Sequence, residues 1–210
     1  MGNAISCAVA EHADCWLSYA ERRDVQERKL AALADHCRDV GRDLATIRKA
    51  VPWTVYLHSD RATARGWAGD ATEGDRPAFA GDPMELRDRI HEAIGLGFDM
   101  VQLRFAGMTD TADIELFAEV GDHALDLGLR TVMLFADPGL VGRPQVETAL
   151  ASPRAAGIEV DVFADVEVEP SDTSFARAAA AAAARAYDGF VAVGGGSTAD
   201  TAKAANLSAT

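Results

Sequence analysis

Apolar residues recur in this chain at two spacings, and the change from one to the other marks out its elements. In residues 27–40, Leu30, Leu33, Ala34, Cys37 and Val40 fall on one side of a helix, with Arg28, Lys29, Asp35 and Arg38 on the other. That spacing predicts an amphipathic helix, stopped by Gly41. Residues 4–13 alternate small and apolar side chains at helical spacing, and the run Ala-Glu-His-Ala-Asp-Cys-Trp from Ala10 to Trp16 ends them. Short apolar runs at 52–57 and 99–105 read as strands, and the polar, glycine-containing stretch 58–77 reads as a loop. From residue 82 a helix is predicted to about residue 95, with Asp82 as N-cap and Pro83 in its first position.

Beyond residue 130 the alternation is cleaner. Strands are expected at 131–136, 159–163 and 189–193, and helices at 145–156, 174–186 and 198–207, which together make a parallel βαβαβα unit. Pro153 stands inside the first of these helices and predicts a kink or an early end. Between the two halves, residues 111–127 read as one helix with no linker composition.

Composition narrows the function more than the fold. With 210 residues, 49% of them apolar and 25% charged, and no run long enough to span a bilayer, the chain reads as a soluble globular protein of one or two domains. Its net charge of −13 is spread over both halves, with 14 basic and 20 acidic residues in 1–118 and 6 and 13 in 119–210. Nucleic acid and anionic membrane are therefore poor partners. Cys7, Cys15 and Cys37 have neither metal-ligand spacing nor the even count of a disulfide set, which suits a reducing compartment. The opening Met-Gly-Asn-Ala-Ile-Ser fits a myristoylation pattern, yet nothing polybasic follows to supply a second membrane signal. No signal-peptide core or Arg-rich leader stands out, so a cytoplasmic location is expected.

The most informative passage is 190–203. Phe190, Val191, Ala192 and Val193 suit a strand buried on both faces, and Gly194, Gly195 and Gly196 let the backbone turn with no Cβ in the way. Ser197, with Asp200 three residues later, reads as a capping box that starts a helix at Thr198. Strand, glycine turn and helix N-terminus together make an anion site of phosphate size. The same glycines would also serve a plain strand-to-helix turn, with Asp200 acting only as a cap.

The surrounding residues carry a resemblance. Asp-Pro-Gly-Leu from Asp137, Ala-Gly-Ile-Glu-Val from Ala156, Val-Glu-Pro-Ser-Asp-Thr-Ser-Phe from Val168 and Tyr-Asp-Gly-Phe-Val-Ala-Val-Gly-Gly-Gly-Ser-Thr-Ala-Asp-Thr-Ala-Lys from Tyr187 follow one another in a particular order and spacing. In both, residues 119–210 resemble the N-terminal nucleotide-binding part of iron-containing alcohol dehydrogenases, most closely the hydroxyacid-oxoacid transhydrogenase branch. The resemblance implies a doubly wound Rossmann-like unit and an NAD-dependent oxidoreductase acting on a small alcohol or hydroxy acid.

It also implies roles. The backbone of Gly194, Gly195, Gly196 and Ser197 would take the pyrophosphate, and Asp137 would accept the ribose hydroxyls, favouring NAD over NADP. Pro170 and Ser171 would stand at the adenine, with serine in the family's threonine place. Asp200 belongs to the start of the helix, and Lys203 would help neutralise phosphate. From the residues alone, Asp137 equally opens an Asp-Pro-Gly turn and Lys203 is equally a solvated helix lysine. The family's catalytic iron, or another divalent metal, is held by one aspartate and three histidines of a helical C-terminal domain. Here His12, His36, His58, His91 and His123 all precede the glycine motif at no metal-ligand spacing, so neither a metal site nor a catalytic residue is assigned. The chain alone is expected to be inactive.

Residues 5–117 resemble a different family. Ala-Glu-His-Ala-Asp-Cys-Trp, Lys-Leu-Ala-Ala-Leu-Ala-Asp-His-Cys-Arg-Asp-Val-Gly-Arg-Asp, Phe-Ala-Gly-Asp-Pro and Gly-Phe-Asp-Met-Val-Gln-Leu-Arg-Phe are similar to the C-terminal part of luciferase-like flavin monooxygenases, which are TIM barrels. Asp82 and Met100 depart from that family's threonine and histidine. The resemblance implies partial TIM-barrel β/α units and a possible flavin, although the family's flavin-phosphate loop would precede residue 1. The expected organisation is therefore 1–118 from one oxidoreductase and 119–210 from another, joined near 115–121. A flavin monooxygenase and a non-catalytic fusion product stand as alternatives to the dehydrogenase reading.

Overall fold

The computed structural model describes residues 2–19, 22–73, 77–106 and 128–208. The chain divides into the units Met1–Met108 and Thr109–Thr210. In the first unit the elements are α1 (Gly2–His12), β1 (Cys15–Leu17), α2 (Arg23–Asp39), β2 (Arg48–Leu57), α3 (Arg61–Ala68), β3 (Phe79–Gly81), α4 (Pro83–Gly95) and β4 (Met100–Phe105). The long strand β2 takes the centre because its alternate residues Val51, Trp53, Val55 and Leu57 are all buried. Every pairing it makes is parallel. β1 lies along Arg48–Ala50, β3 along Val55–Leu57 and β4 along Ala50–Val55. Ala50 and Val55 each have two partners, so β4 runs along one edge of β2 while β1 and β3 share the other.

Two of these strands and one helix depart from the expectation. β1 and β3 are three residues each, too short for a period of two to register. The stretch 58–77, expected as a loop, contains α3 and a 3₁₀ turn at Gly69–Thr72. Asp60 caps α3, accepting from the Thr63 amide at 2.9 Å and its hydroxyl at 2.5 Å. Small residues and a mid-helix glycine hid the apolar stripe, leaving a cap as the only signal. Asp82 caps α4 as expected, accepting from Glu85 N at 2.8 Å.

The second unit is built around β5 (Thr131–Ala136), with β6 (Glu159–Phe163) on one side and β7 (Gly189–Val193) on the other, all parallel. Its continuous apolar sequence is explained by cover on both faces. Met133 and Phe135 pack with Ala178 and Ala182 of α6 (Asp172–Ala183) and with Ala202 and Ala205 of α7 (Gly196–Ser208). Leu134 and Ala136 face the opposite way, onto Val146, Ala149 and Leu150 of α5 (Pro144–Ala155). Helices on both faces of a parallel sheet make the unit doubly wound, as the sequence predicted. Both units are mixed α/β with parallel sheets. The expected 118/119 boundary and the helix over 111–127 fall outside the described residues.

An aspartate fixes the register of each central strand. Asp188 Oδ2 accepts from Arg130 N at 2.8 Å and Thr131 N at 2.9 Å, while its own amide donates to Thr131 O at 2.8 Å. In the first unit Asp99 Oδ2 accepts from Lys49 N at 2.8 Å and from Lys49 Nζ at 2.7 Å, and the Asp99 amide donates to Lys49 O at 2.8 Å. Helix α5 runs through Pro153 and stops at Ala155. Its end is set by Gly157 at φ +84°, whose amide donates to Arg154 O while Ile158 N donates to Pro153 O. That is a Schellman stop, and the left-handed glycine terminates the helix in place of the proline.

Candidate functional site

The chain leaves β5 toward β6 on one side and later returns to β7 on the other. The carboxyl ends of β5 and β7 therefore meet where the strand order reverses, the place where doubly wound sheets bind ligands. Asp137 follows β5 and Gly194 follows β7. The Asp137 amide donates to Val193 O at 3.0 Å, and a Cβ on Gly194 would lie 3.0 Å from Asp137 Cβ. Two motifs more than fifty positions apart are thus in contact.

Asp137 is half-buried. Its Oδ1 accepts from Gly139 N at 2.8 Å, which is the Asp-Pro-Gly turn bond, and its Oδ2 has no partner among the described residues. Gly194 is packed from behind: its added Cβ would meet Thr198 Oγ1 at 2.3 Å and Thr198 Cβ at 2.9 Å. Gly195 and Gly196 are different. All three glycines are exposed, but a Cβ on either of these two would meet nothing within 4 Å.

The expected capping box does not form. Helix α7 begins at Gly196, with Gly195 O accepting from Ala199 N at 3.2 Å. Ser197 is therefore inside the first turn, and its hydroxyl accepts from Glu169 N at 3.2 Å. Asp200 pairs with Lys203 at 3.1 Å on an exposed part of the helix, which makes Lys203 the partner of a carboxylate. Glycine is itself an acceptable N-cap, and the serine hydroxyl was drawn to a neighbouring loop. Thr198 is buried at 1% exposure, and its Oγ1 has no partner among the described residues.

That neighbouring loop carries Pro170 and Ser171. Glu169 has φ +53°, the left-handed conformation that L-residues adopt at a cost. Ser171 Oγ accepts from Ser174 N at 3.2 Å and so caps α6. Arg177 ties the loop down, donating to Asp165 and Glu167 at 2.7 Å each, and these two carboxylates hold its pKa above the usual arginine value. All three segments named from the sequence thus gather at one end of the sheet. Thr198, Glu169 and Arg177 were not foreseen at this end of the sheet, and none has a readable sequence signal.

The histidines take other parts. His36 Nδ1 is 3.3 Å from Cys7 Sγ, His58 Nδ1 accepts from Asp60 N at 2.8 Å, and His12 is 3.3 Å from Glu11. His123 lies outside the described residues. Among the described residues no three or more His, Cys, Asp or Glu side chains are grouped to hold a metal, and no helix is long and apolar enough to cross a membrane.

A glycine turn beside a carboxylate at the switch point of a doubly wound sheet is the architecture of dinucleotide binding. The comparisons narrow that class: residues 114–210 match the iron-containing alcohol dehydrogenase family model. The mitochondrial hydroxyacid-oxoacid transhydrogenase of Bos taurus is 47% identical over 89 residues, covering 42% of this chain and 19% of that protein. The Homo sapiens protein of the same name is 46% identical over 89 residues with the same coverage. The chain spans about a fifth of the length of the curated relatives it matches. Among solved structures, monooxygenase RslO1 from Streptomyces bottropensis overlaps 49% of this chain and 37% of its own, at a TM-score of 0.38 and 21% identity. A likeness that slight carries no argument about the first unit.

Proposed function

We propose that residues 119–210 form the dinucleotide-binding part of an oxidoreductase of the iron-containing alcohol dehydrogenase type, close to the hydroxyacid-oxoacid transhydrogenases, with NAD as the dinucleotide. The observation that carries this reading is the contact between Asp137 and the glycine turn at the carboxyl ends of β5 and β7. The residues fit the cofactor. Gly195 and Gly196 leave open space for close approach to the backbone, and the first turn of α7 offers unpaired amides and the positive end of a helix dipole. Asp137 keeps one carboxylate oxygen for ribose hydroxyls, and that charge disfavours a 2′-phosphate.

NAD supplies a hydride acceptor for the oxidation of an alcohol or hydroxy acid when it is bound. The chain's own part is to bind and orient: Asp137 fixes the ribose, the backbone of 195–197 receives the pyrophosphate, and Pro170 walls the adenine side. Among the described residues no ligand set for the family's metal is grouped, and the reading concerns the binding of the dinucleotide alone. A flavin site in the first unit rests on the sequence motifs alone. The three free cysteines suit a mitochondrial setting, which the relatives' names print for those proteins, as well as they suit the cytosol.

The test is titration of NADH fluorescence with the full chain. Charge-assisted hydrogen bonds of roughly 1.5–3 kcal/mol mean that Asp137→Ala should weaken binding about ten- to a hundredfold. Gly195→Val should weaken it at least as much by blocking the backbone. Wild type and both variants binding equally well would sink the proposal.

A further inference from the structure

The helix-covered face of the first unit contains a cavity of about 250 Å³ lined by Trp53, Arg65, Thr72, Phe79, Ala80 and Arg89. Two guanidinium groups thus border one small space. Arg89 is already engaged: its Cζ lies 5.6 Å from the Trp53 ring centroid, and it pairs with Glu92 at 2.5 Å. Arg65 is exposed and has no carboxylate partner among the described residues. Three carboxylates border the adjoining groove, and each has an arginine partner. Glu85 pairs with Arg61 at 3.1 Å, Asp88 with Arg87 at 2.7 Å, and Glu92 with Arg23 at 3.2 Å as well as with Arg89. Among the described residues Arg65 is therefore the lining cation without a carboxylate partner, at a cavity whose other walls include the rings of Trp53 and Phe79, Thr72 and Ala80.

We propose that this cavity is a binding site for a small organic monoanion, a carboxylate carried on a flat apolar body, with Arg65 as its charge partner. A single free guanidinium presents a planar two-point fork that matches a carboxylate, whereas a phosphate dianion calls for more than one unpaired cation. Phe79 and Ala80 favour an apolar body over a plain inorganic anion. The volume suits a single ring and is too small for a dinucleotide. The site lies in the first unit and is independent of the reading of the second.

Benzoate titrated into the full chain, followed by calorimetry and by the fluorescence of the tryptophans, should saturate in about the millimolar range. Benzamide, the same ring without the charge, should bind about ten- to a hundredfold more weakly, and inorganic phosphate should not displace benzoate. Arg65→Ala should cost the same factor with the melting temperature unchanged, while Arg65→Lys, which keeps the charge and loses the fork, should fall between. Arg154→Ala in the other unit should change nothing. The proposal is overturned by any of four results: no saturation, benzamide binding as well as benzoate, phosphate displacing benzoate at similar concentration, or Arg65→Ala and Arg65→Lys both binding as the wild type does.

Discussion

Gly194→Ala should destabilise the second unit, while the same change at Gly195 or Gly196 should leave it intact. At Gly194 the new methyl would sit 2.3 Å from Thr198 Oγ1, 2.9 Å from Thr198 Cβ and 3.0 Å from Asp137 Cβ. None of these is the free end of a flexible side chain: Thr198 is buried at 1% exposure, and Asp137 is held by its bond to Gly139 N and by its own amide to Val193 O. The added carbon must therefore move backbone, at the 1–3 kcal/mol or so typical of overpacking. For a unit of this size about 1 kcal/mol shifts the melting temperature by roughly 4–8 °C, so a fall of about 4–24 °C is expected. At Gly195 and Gly196 nothing lies within 4 Å, and a Cβ there removes only unfolded-state freedom, for a change of about zero or a slight gain. Calorimetry of the full chain with hydrogen exchange on peptides from β7 and α7 separates this transition from that of the first unit. If the three alanine variants melt alike, the division of the turn into a packed glycine and two open ones is wrong.

Other expectations follow from single contacts. Thr63, through its hydroxyl and amide, holds Asp60 below the ordinary carboxylate range; for Asp82 burial works upward, but the Glu85 amide and Arg61 outweigh it. Depressed carboxylates lend stability above the unfolded value near pH 3.9 and lose it as the pH falls through the folded values. The first unit should therefore melt earlier below about pH 4, and Asp82→Asn should flatten that acid limb in melts taken across the range. Burial and the 2.7 Å bond to Asp161 raise the Tyr187 phenol, so its contribution is present below about pH 10 and is lost as the pH rises through the folded value. Tyr187→Phe should cost about 0.5–1.5 kcal/mol near neutrality and remove this alkaline limb, as measured by urea unfolding at two pH values. Pro153→Ala should raise stability by about 1–3 kcal/mol because it restores an amide inside α5, and an unchanged urea midpoint would count against that.

What could be read from the sequence depended on length and on cover. Strands 131–136, 159–163 and 189–193 were predicted residue for residue; in the first and the last an apolar run between glycine-bearing turns has few other solutions, whereas Glu159-Val-Asp-Val-Phe was placed by the β/α alternation around it. Helices α2 and α4 were found with their stop and cap, although α2 starts at Arg23, four residues earlier than the stripe showed; α6, expected over 174–186, runs Asp172–Ala183 from a Ser171 cap that was not predicted. The failures are of two kinds. β1, β3 and α3 are short or built of small residues, and partners distant in sequence decide them: β1 exists because Arg48–Ala50 is there to pair with it. The other failures concern hydroxyls. Ser197 and Asp200 have the right types and spacing for a capping box, yet Glu169 N, which no local pattern brings near, takes the serine. Competition of this sort is tertiary and leaves no mark in a window of four residues.

The same competition sharpens the proposed binding set. Of the residues named from the resemblance, Ser171 caps α6, Ser197 receives Glu169 N, and Asp200 with Lys203 satisfy one another. A phosphate that meets Ser197 must therefore do so through the backbone amide, where the helix start leaves donors unpaired. Asp137 goes the other way. Its two sequence readings, turn former and ribose acceptor, are compatible, because the bond from Gly139 N uses one carboxylate oxygen and fixes the plane in which the other is presented. A carboxylate held on one side by its own turn loses little conformational freedom when a ligand reaches it, and pre-ordering of that kind is where binding strength comes from. In the proposed site the turn is then part of what would let Asp137 bind, and Gly194, closed over Thr198, fixes how near that carboxylate stands to the two open glycines.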